Sequence, residues 1–311
     1  MTSATTVLTV NAASIEFQNP LLLAAGTAAY GRELTGVMNL DALGGLVTKA
    51  VSPEPRKGAP APRVAEFEGG MINAVGLANP GLDAVKREDM PWLAANVHSA
   101  RVIVNVIGNT LEDFATVVES LDDVSRVDAF ELNVSCPNTK AGGLEFGADR
   151  DTLATLVQRA RAATKRPLFV KLSPTLPSVA DTARVAVDSG ADGITLVNTI
   201  PGLVIDIENR RPALGFGTGG VSGVGLLPVG VLAVWNVSRA VSVPLVGVGG
   251  VSKGADVIQY LMAGASLVAM GTAALRDPRA PERVISEMKD WCDAQGVNRV
   301  SDIVGSLEWP S

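Results

Sequence analysis

Eight short runs of apolar and β-branched residues, separated by longer segments with helical periodicity, constrain the fold of this chain most strongly. Such alternation is typical of βαβ units, in which successive strands lie parallel. Eight parallel strands are the number that closes into a barrel. The sequence therefore predicts an α/β protein with one domain over residues 1–311, a (β/α)8 TIM barrel. The predicted strands begin at Leu21, Gly45, Arg101, Ala129, Leu168, Gly193, Pro244 and Leu267.

Three segments fall outside this alternation. Residues 7–18 indicate a β-hairpin, which we expect to plug the floor of the barrel. Residues 52–81 and 199–223 form long loops after the second and sixth strands. Long insertions at the carboxyl ends of barrel strands are more often functional than idle.

Charge and cysteine content exclude several classes of function. The net charge is −6 without a dense Lys/Arg run, which argues against nucleic-acid binding. The chain begins without the pattern of a signal peptide, and no apolar run approaches the roughly 18 residues of a membrane helix. We therefore expect a cytoplasmic protein that does not engage a membrane. Cys136, Cys292 and His98 lie in no metal-ligand spacing, so no metal site is expected.

Polar side chains close five of the predicted strands. In a TIM barrel, inward-facing positions turn polar near the carboxyl ends, where the active site lies. A ring of amide and ammonium groups would therefore converge on one opening and form a polar pocket. Each residue taken alone could instead be a rim residue facing solvent. The five residues are Lys49, Asn105, Asn133, Lys171 and Asn198.

Glycines follow the seventh and eighth strands. Gly249 and Gly250 end the seventh run, and Gly271 with Thr272 ends the eighth. Backbone N–H groups in such loops can approach an anion, and the helix predicted to begin at Lys253 and Gly254 would add its positive end. The pattern predicts a phosphate site, although glycines that serve only tight turns remain an alternative.

Cys136 lies between two asparagines and directly before Pro137, in the stretch ELNVSCPNTKAGG. A free cysteine is more often a small buried residue than a reactive one. Its position after the polar end of the fourth strand also allows a catalytic role. Cys292 falls on the apolar side of the last predicted helix, and we expect it to be inert.

Several motifs together resemble one family. NVSCPN, GGMINAVGLANPG, VKLSP, LVNTI and GVGGV occur in the order typical of the class 1 dihydroorotate dehydrogenases, from about residue 19 to about residue 275. The amino-acid sequences of the two long inserts resemble the catalytic chain of the NAD-linked subtype, class 1B, more than the fumarate-linked homodimers. The resemblance implies oxidation of dihydroorotate to orotate in pyrimidine biosynthesis, with FMN as cofactor.

The resemblance also implies roles for individual residues. Cys136 would be the catalytic base. The FMN-binding residues would be Ala25, Gly26, Lys49, Ala50, Asn105, Asn133, Lys171, Val197, Gly223, Gly249, Gly250, Gly271 and Thr272. The substrate would contact Lys49, Asn73, Ala74, Val75, Gly76, Leu77, Asn133, Asn138, Asn198 and Thr199.

The implied partner is a separate electron-transfer subunit with FAD and a 2Fe-2S cluster, bound to a homodimeric core within a heterotetramer.

Three positions depart from the family pattern. Ala25 replaces a usual serine, and Leu227 and Leu232 stand where many relatives carry Lys and Arg. Alternatives are a fumarate-linked dihydroorotate dehydrogenase, a related dihydropyrimidine-type flavin enzyme, and a barrel that binds phosphate without redox chemistry.

Overall fold

A closed barrel of eight parallel strands forms the centre of the protein in a computed structural model, which describes residues 7–135, 137–138 and 144–310. Each strand pairs with its neighbours in sequence, and the eighth strand pairs with the first to close the barrel. The predicted fold and all eight strands are confirmed. The strands are β1 (Leu21–Leu23), β2 (Gly45–Val47), β3 (Arg101–Val106), β4 (Ala129–Asn133), β5 (Leu168–Leu172), β6 (Gly193–Leu196), β7 (Leu245–Val248) and β8 (Leu267–Met270).

Helices surround the barrel and bury an apolar face against it. The first helical stretch contains a π segment, Val85–Asp89, between two short α-helical segments. The helices are α1 (Leu82–Ala84), α2 (Met90–Asn96), α3 (Leu111–Asp122), α4 (Arg150–Ala162), α5 (Val179–Asp188), α6 (Leu227–Ser238), α7 (Gly254–Met262), α8 (Thr272–Arg276) and α9 (Ala280–Gln295). Short 3-10 turns occur at Arg32–Leu34, Leu40–Ala42, Phe146–Ala148, Val224–Leu226 and Val300–Ile303.

Local sequence signals set the helix boundaries. The Ser178 side chain accepts a hydrogen bond from the Asp181 N–H, so the predicted cap of α5 is confirmed. A reciprocal capping box between Thr110 and Asp113 begins α3. These bonds satisfy N–H groups that have no partner within the helix.

The N-terminal hairpin is confirmed, with Val10–Ala12 paired antiparallel to Ile15–Phe17. Arg101, the first residue of β3, donates from Nε to the carbonyl oxygen of Glu16 at 2.8 Å. Phe17 is completely buried. The hairpin therefore lies at the amino-terminal end of the strands, the floor of the barrel.

The two long inserts pair with each other and form a four-stranded antiparallel sheet, which we call the cap sheet. Its strands lie in the order Ile200–Gly202, Gly219–Gly223, Gly70–Asn73 and Val64–Phe67. The later insert also forms a small hairpin, Ile205–Asp206 with Arg211–Pro212. Because both inserts follow carboxyl ends of barrel strands, the cap sheet covers the mouth of the barrel.

No helix within the described residues is long and apolar enough to cross a membrane. A further short antiparallel pair, Pro137–Asn138 with Leu144–Glu145, follows β4.

Candidate active site

The five polar residues predicted at strand ends gather at the mouth of the barrel. Register places Lys171 of β5 beside Asn133 of β4, and Asn198 Nδ2 donates to Asn133 Oδ1 at 3.5 Å. Asn105, Asn133 and Lys171 are buried, so these three are not solvent-facing rim residues. Lys49 and Asn198 are half-buried. Asn133, Lys171 and Asn198 thus form a spatial cluster, and the pocket of five residues stays a prediction.

Sequence reasoning missed one member of this cluster, Glu131. It lies in the middle of β4, is only 2% exposed, and accepts hydrogen bonds from Asn105 Nδ2 at 2.7 Å and Thr195 Oγ1 at 2.8 Å. The signal was available, because Glu131 shares the inward parity of Asn133 along the strand. A charged residue on a strand suggests a solvated face, and only the closed barrel turns that position inward.

The second polar atom of the Asn105 side chain has no partner within the described residues. Its Oδ1 is fully buried and accepts no hydrogen bond. A buried acceptor left unpaired costs about 1–3 kcal/mol, so such atoms usually mark a place where a ligand or water supplies the donor.

The cap sheet joins the predicted substrate residues to the strand ends. Asn73 Nδ2 donates to the carbonyl oxygen of Gly220 at 3.3 Å. Gly220 in turn packs against Thr199, because a Cβ at this glycine would lie 2.7 Å from Thr199 Cβ. The Thr199 N–H donates to Asn198 Oδ1 at 2.9 Å. Asn73, Thr199, Asn198 and Asn133 therefore form one continuous polar wall.

The rest of the predicted substrate segment follows Asn73. Ala74 and Val75 are half-buried, and their backbones bond to those of Arg63 and Ala59. Gly76 and Leu77 both have positive φ, and the chain then returns to Arg56, whose backbone pairs with that of Asn79. The segment is thus held against the same insert that carries Asn73.

The glycine loops after β7 and β8 also lie together. Thr272 Oγ1 donates to Ser222 Oγ at 2.8 Å, which ties the start of α8 to the residue before Gly223. Gly250, with φ of +74°, contacts the start of α6, and a Cβ there would lie 2.7 Å from Leu227 Cα. Among the described residues, the N–H groups of Gly250, Thr272 and Ala273 have no acceptor. Clustered N–H groups of this kind favour an anion.

The predicted contribution from the start of α7 is wrong. The N–H groups of Ser252 and Lys253 donate to the Asp256 carboxylate, and that of Gly254 donates to Glu287 Oε2 at 2.6 Å. Burial alone would raise the pKa of Glu287, but the bonds from Gly254 and Arg283 hold it below its ordinary value. These donors are already used, so the preceding loop is the place for an anion.

Other predicted ring-binding positions surround the same opening. Ala25 and Gly26 form a tight turn after β1, closed by the Thr27 N–H to the Ala24 oxygen at 3.0 Å. Ala50 is buried, and its carbonyl oxygen accepts from the Tyr30 hydroxyl. Val197 is buried after β6, next to Asn198.

Cys136 lies outside the described residues, so its role as base stays a prediction. Asn138 is described as a backbone paired with Leu144. Cys292 is fully buried in α9, and burial together with Asp293 raises the pKa of its thiol. These features favour the inert role predicted for Cys292.

Comparison with known proteins decides the family. The family model described as "Dihydroorotate dehydrogenase" matches residues 7–291. The chain belongs to the dihydroorotate dehydrogenase family. Dihydroorotate dehydrogenases are in general flavin enzymes. The unpaired Asn105 oxygen, the free N–H groups of the glycine loops and the buried Lys171 fit an anionic, ring-bearing cofactor of this kind.

Individual dihydroorotate dehydrogenases similar to this chain carry names of both subtypes. "Dihydroorotate dehydrogenase B (NAD(+)), catalytic subunit" of Pelobacter propionicus is 44% identical over 97% of this chain and 98% of its own length. The protein of the same name from Geobacter sulfurreducens is 42% identical over the same shares. A protein of Solibacter usitatus, provisionally named dihydroorotate dehydrogenase A (fumarate), is 45% identical over 95% of this chain and 96% of its own length.

Proposed function

We propose that this protein oxidises dihydroorotate to orotate in pyrimidine biosynthesis, with FMN as its flavin. One observation carries the proposal: a wall of amide side chains and two lysines shares the barrel mouth with unpaired N–H groups suited to a phosphate. Asparagine amides offer both donors and acceptors, which match the alternating N–H and C=O groups of a pyrimidine ring. FMN has a ring that can lie beside that wall and a phosphate that suits the glycine loops.

The reaction removes a proton from C5 and a hydride from C6 of dihydroorotate. FMN supplies the hydride acceptor when it is bound. In our proposal Cys136 takes the proton, and Asn73, Asn133 and Asn198 hold the ring edge. Lys49 stands at the end of β2, where its ammonium group suits the substrate carboxylate.

Two lysines at the mouth of the barrel, one after β2 and one in β5, would also favour the charged states that the reaction needs. A free thiol has a pKa of about 8.5, and a nearby cation lowers it toward neutrality. Lys171 is buried, so its charge is little screened by water. We assign Lys171 to the flavin side of the pocket.

Anaerobic mixing of the purified chain with dihydroorotate tests the activity. The bound flavin should lose its absorbance near the visible maximum within seconds, and orotate should appear in equal amount. A colourless protein, or a yellow one that dihydroorotate leaves unchanged, would contradict the proposal. A colourless protein that binds inorganic phosphate would favour the non-redox barrel instead.

We propose that the electrons then pass to NAD through a separate subunit with FAD and a 2Fe-2S cluster. The name "catalytic subunit" carried by similar proteins supports a partner. An exposed apolar face at the start of α6 suits such a contact, since exposed apolar patches often mark interaction sites. This α6 surface comprises Val224, Val229 and Leu232 and lies beside the glycine loop at Gly250.

The similar protein from Solibacter usitatus supports fumarate as a second candidate acceptor. Assays of the isolated chain with fumarate, NAD and a quinone distinguish the two. Reduction of fumarate by the chain alone would favour the fumarate-linked enzyme. NAD reduction that requires an added iron–sulfur flavoprotein would favour the two-subunit enzyme.

A further inference from the structure

Glu131 is a buried carboxylate for which the proposed reaction has no use. Its two carboxylate oxygens accept from Asn105 Nδ2 and Thr195 Oγ1, on β3 and β6. No ion pair among the described residues includes Glu131, so both of its named partners are neutral. Burying a carboxylate without a cation is costly, which makes a purely space-filling role a poor explanation.

The bond to Glu131 fixes the direction of the Asn105 amide. A carboxylate offers only acceptors, so the NH2 group of Asn105 must face Glu131. The Oδ1 atom then faces away from Glu131, buried and without a donor among the described residues. Without the carboxylate, the two ends of the amide could exchange, and a donor could stand where the acceptor is now.

We propose that Glu131 is a positioning residue, which holds Asn105 as a hydrogen-bond acceptor for the ring N–H of the flavin. This inference rests on the proposed function. The oxidised isoalloxazine ring carries one N–H group, at N3, between two carbonyl groups. An acceptor held in one orientation recognises that N–H, whereas a rotated amide would present a second donor to it.

Titration of the apoprotein with FMN, followed by the quenching of flavin fluorescence, tests the proposal. E131Q replaces the obligate acceptor with an amide that can donate, so Asn105 can rotate. FMN should bind roughly 10- to 100-fold more weakly, the range expected when a buried donor loses its partner. Circular dichroism and thermal unfolding report separately whether the variant folds.

Thr195→Val is the matched control. It removes the other donor to Glu131 but leaves the bond to Asn105, so FMN affinity should stay within about threefold of the wild type. In an Asn105→Ala background, E131Q should change FMN affinity by less than about threefold. Equal losses in E131Q and T195V, or an undiminished effect of E131Q without Asn105, would make Glu131 merely structural and overturn the proposal.

Two further measurements test the proposal even if E131Q fails to fold. The exchange E131Q/N105D restores an acceptor, because the new glutamine can donate to one oxygen of the new aspartate and leave the other free. This double variant should regain most of the FMN affinity lost in E131Q. The wild type should also bind 3-methyl-FMN at least tenfold more weakly than FMN, and N105A should discriminate less.

Failure of the Glu131 proposal can be distinguished from failure of the proposed function. A wild-type chain that binds FMN and is bleached by dihydroorotate, together with an E131Q variant of unchanged FMN affinity, would overturn only the role of Glu131. A wild-type chain that binds no FMN would overturn both.

Discussion

At the scale of single residues, the mouth of the barrel is distinguished by its buried polar side chains. Asn105, Asn133 and Lys171 are at most 9% exposed, although such residues are seldom buried in proteins. Their burial becomes understandable if a bound cofactor and substrate complete their hydrogen bonds.

Cys136→Ala should slow flavin reduction by dihydroorotate by roughly two to four orders of magnitude, the usual contribution of a general base. FMN and orotate should still bind, because the thiol takes the proton without holding either molecule. Anaerobic stopped-flow absorbance measures the rate. Cys292→Ala, which alters a buried thiol in α9, should reduce flavin at the wild-type rate. An unimpaired Cys136→Ala variant would rule out this cysteine as the base.

Lys171→Ala should weaken FMN binding by about tenfold or more, because it removes a buried cation from the pocket. Fluorescence titration of the apoprotein gives the dissociation constant. Lys165→Ala is the control, since Lys165 is exposed shortly before β5. Equal affinities of the two variants would place Lys171 outside the flavin site.

The residues of the site differ in how well the sequence predicts them. Asn133 and Lys171 follow apolar runs at equivalent points of neighbouring strands, so strand periodicity alone brings them together. Glu131 was missed although it shares the inward parity of Asn133, because a charged residue within a strand usually marks a solvated face. The sequence assigned the N–H groups at the start of α7 to the anion site. It could not show that Gly254 donates instead to Glu287 of α9, 33 positions away.

At the scale of secondary-structure elements, the inserts depend on strand pairing between distant parts of the chain. The eight strands and the cap of α5 follow from local periodicity and local hydrogen bonds. The cap sheet does not, because glycine-rich residues 219–223 have low strand propensity and become a strand only by pairing with Gly70–Asn73. The sequence predicted two functional inserts but could not predict that they form one sheet.

Asp41 links the Leu40–Ala42 turn to the start of β3, because its carboxylate accepts from the N–H groups of His98, Ser99 and Ala100. Burial would raise the pKa of Asp41, but these three bonds lower it overall. A folded-state pKa below the unfolded one stabilises the protein above the ordinary pKa of about 4, and this contribution disappears as the pH falls through the folded value.

Asp41→Asn should therefore lower the free energy of unfolding by about 1–3 kcal/mol at pH 7. The difference from the wild type should shrink as the pH is lowered below 4, because the wild-type carboxylate becomes protonated. Urea denaturation at a series of pH values measures it. Asp290→Asn, at an exposed position of α9, should show no such trend. A difference independent of pH would disprove the charged role of Asp41.

Two exposed apolar surfaces matter at the scale of the whole molecule. Besides the α6 surface, the later insert exposes a second one, the hairpin surface of Leu203, Ile205, Ile207 and Phe216. Ile207 is 77% exposed and Phe216 67%. Apolar side chains this exposed are costly in a monomer, and a two-fold contact between identical copies would bury them on both sides. We therefore propose that two copies of the chain would meet through the hairpin surface.

Ile207→Glu should convert the chain from dimer to monomer in analytical ultracentrifugation, because two like charges would face each other across the two-fold axis. Leu232→Glu is its counterpart on α6. It should leave the dimer intact but abolish co-purification with the electron-transfer subunit that we propose. A dimer that survives Ile207→Glu and dissociates with Leu232→Glu would reverse the two assignments.

The cap sheet also has a consequence for the order in which the protein is built. Asn73 meets Gly220 across 147 positions of sequence, so the roof of the mouth cannot form until most of the chain has left the ribosome. At about 5–20 residues per second, that delay is on the order of ten seconds. The floor hairpin and the first strands are complete long before then. A growing chain therefore passes through a stage with a partly built barrel and no roof, and a flavin can be enclosed only near the end of synthesis.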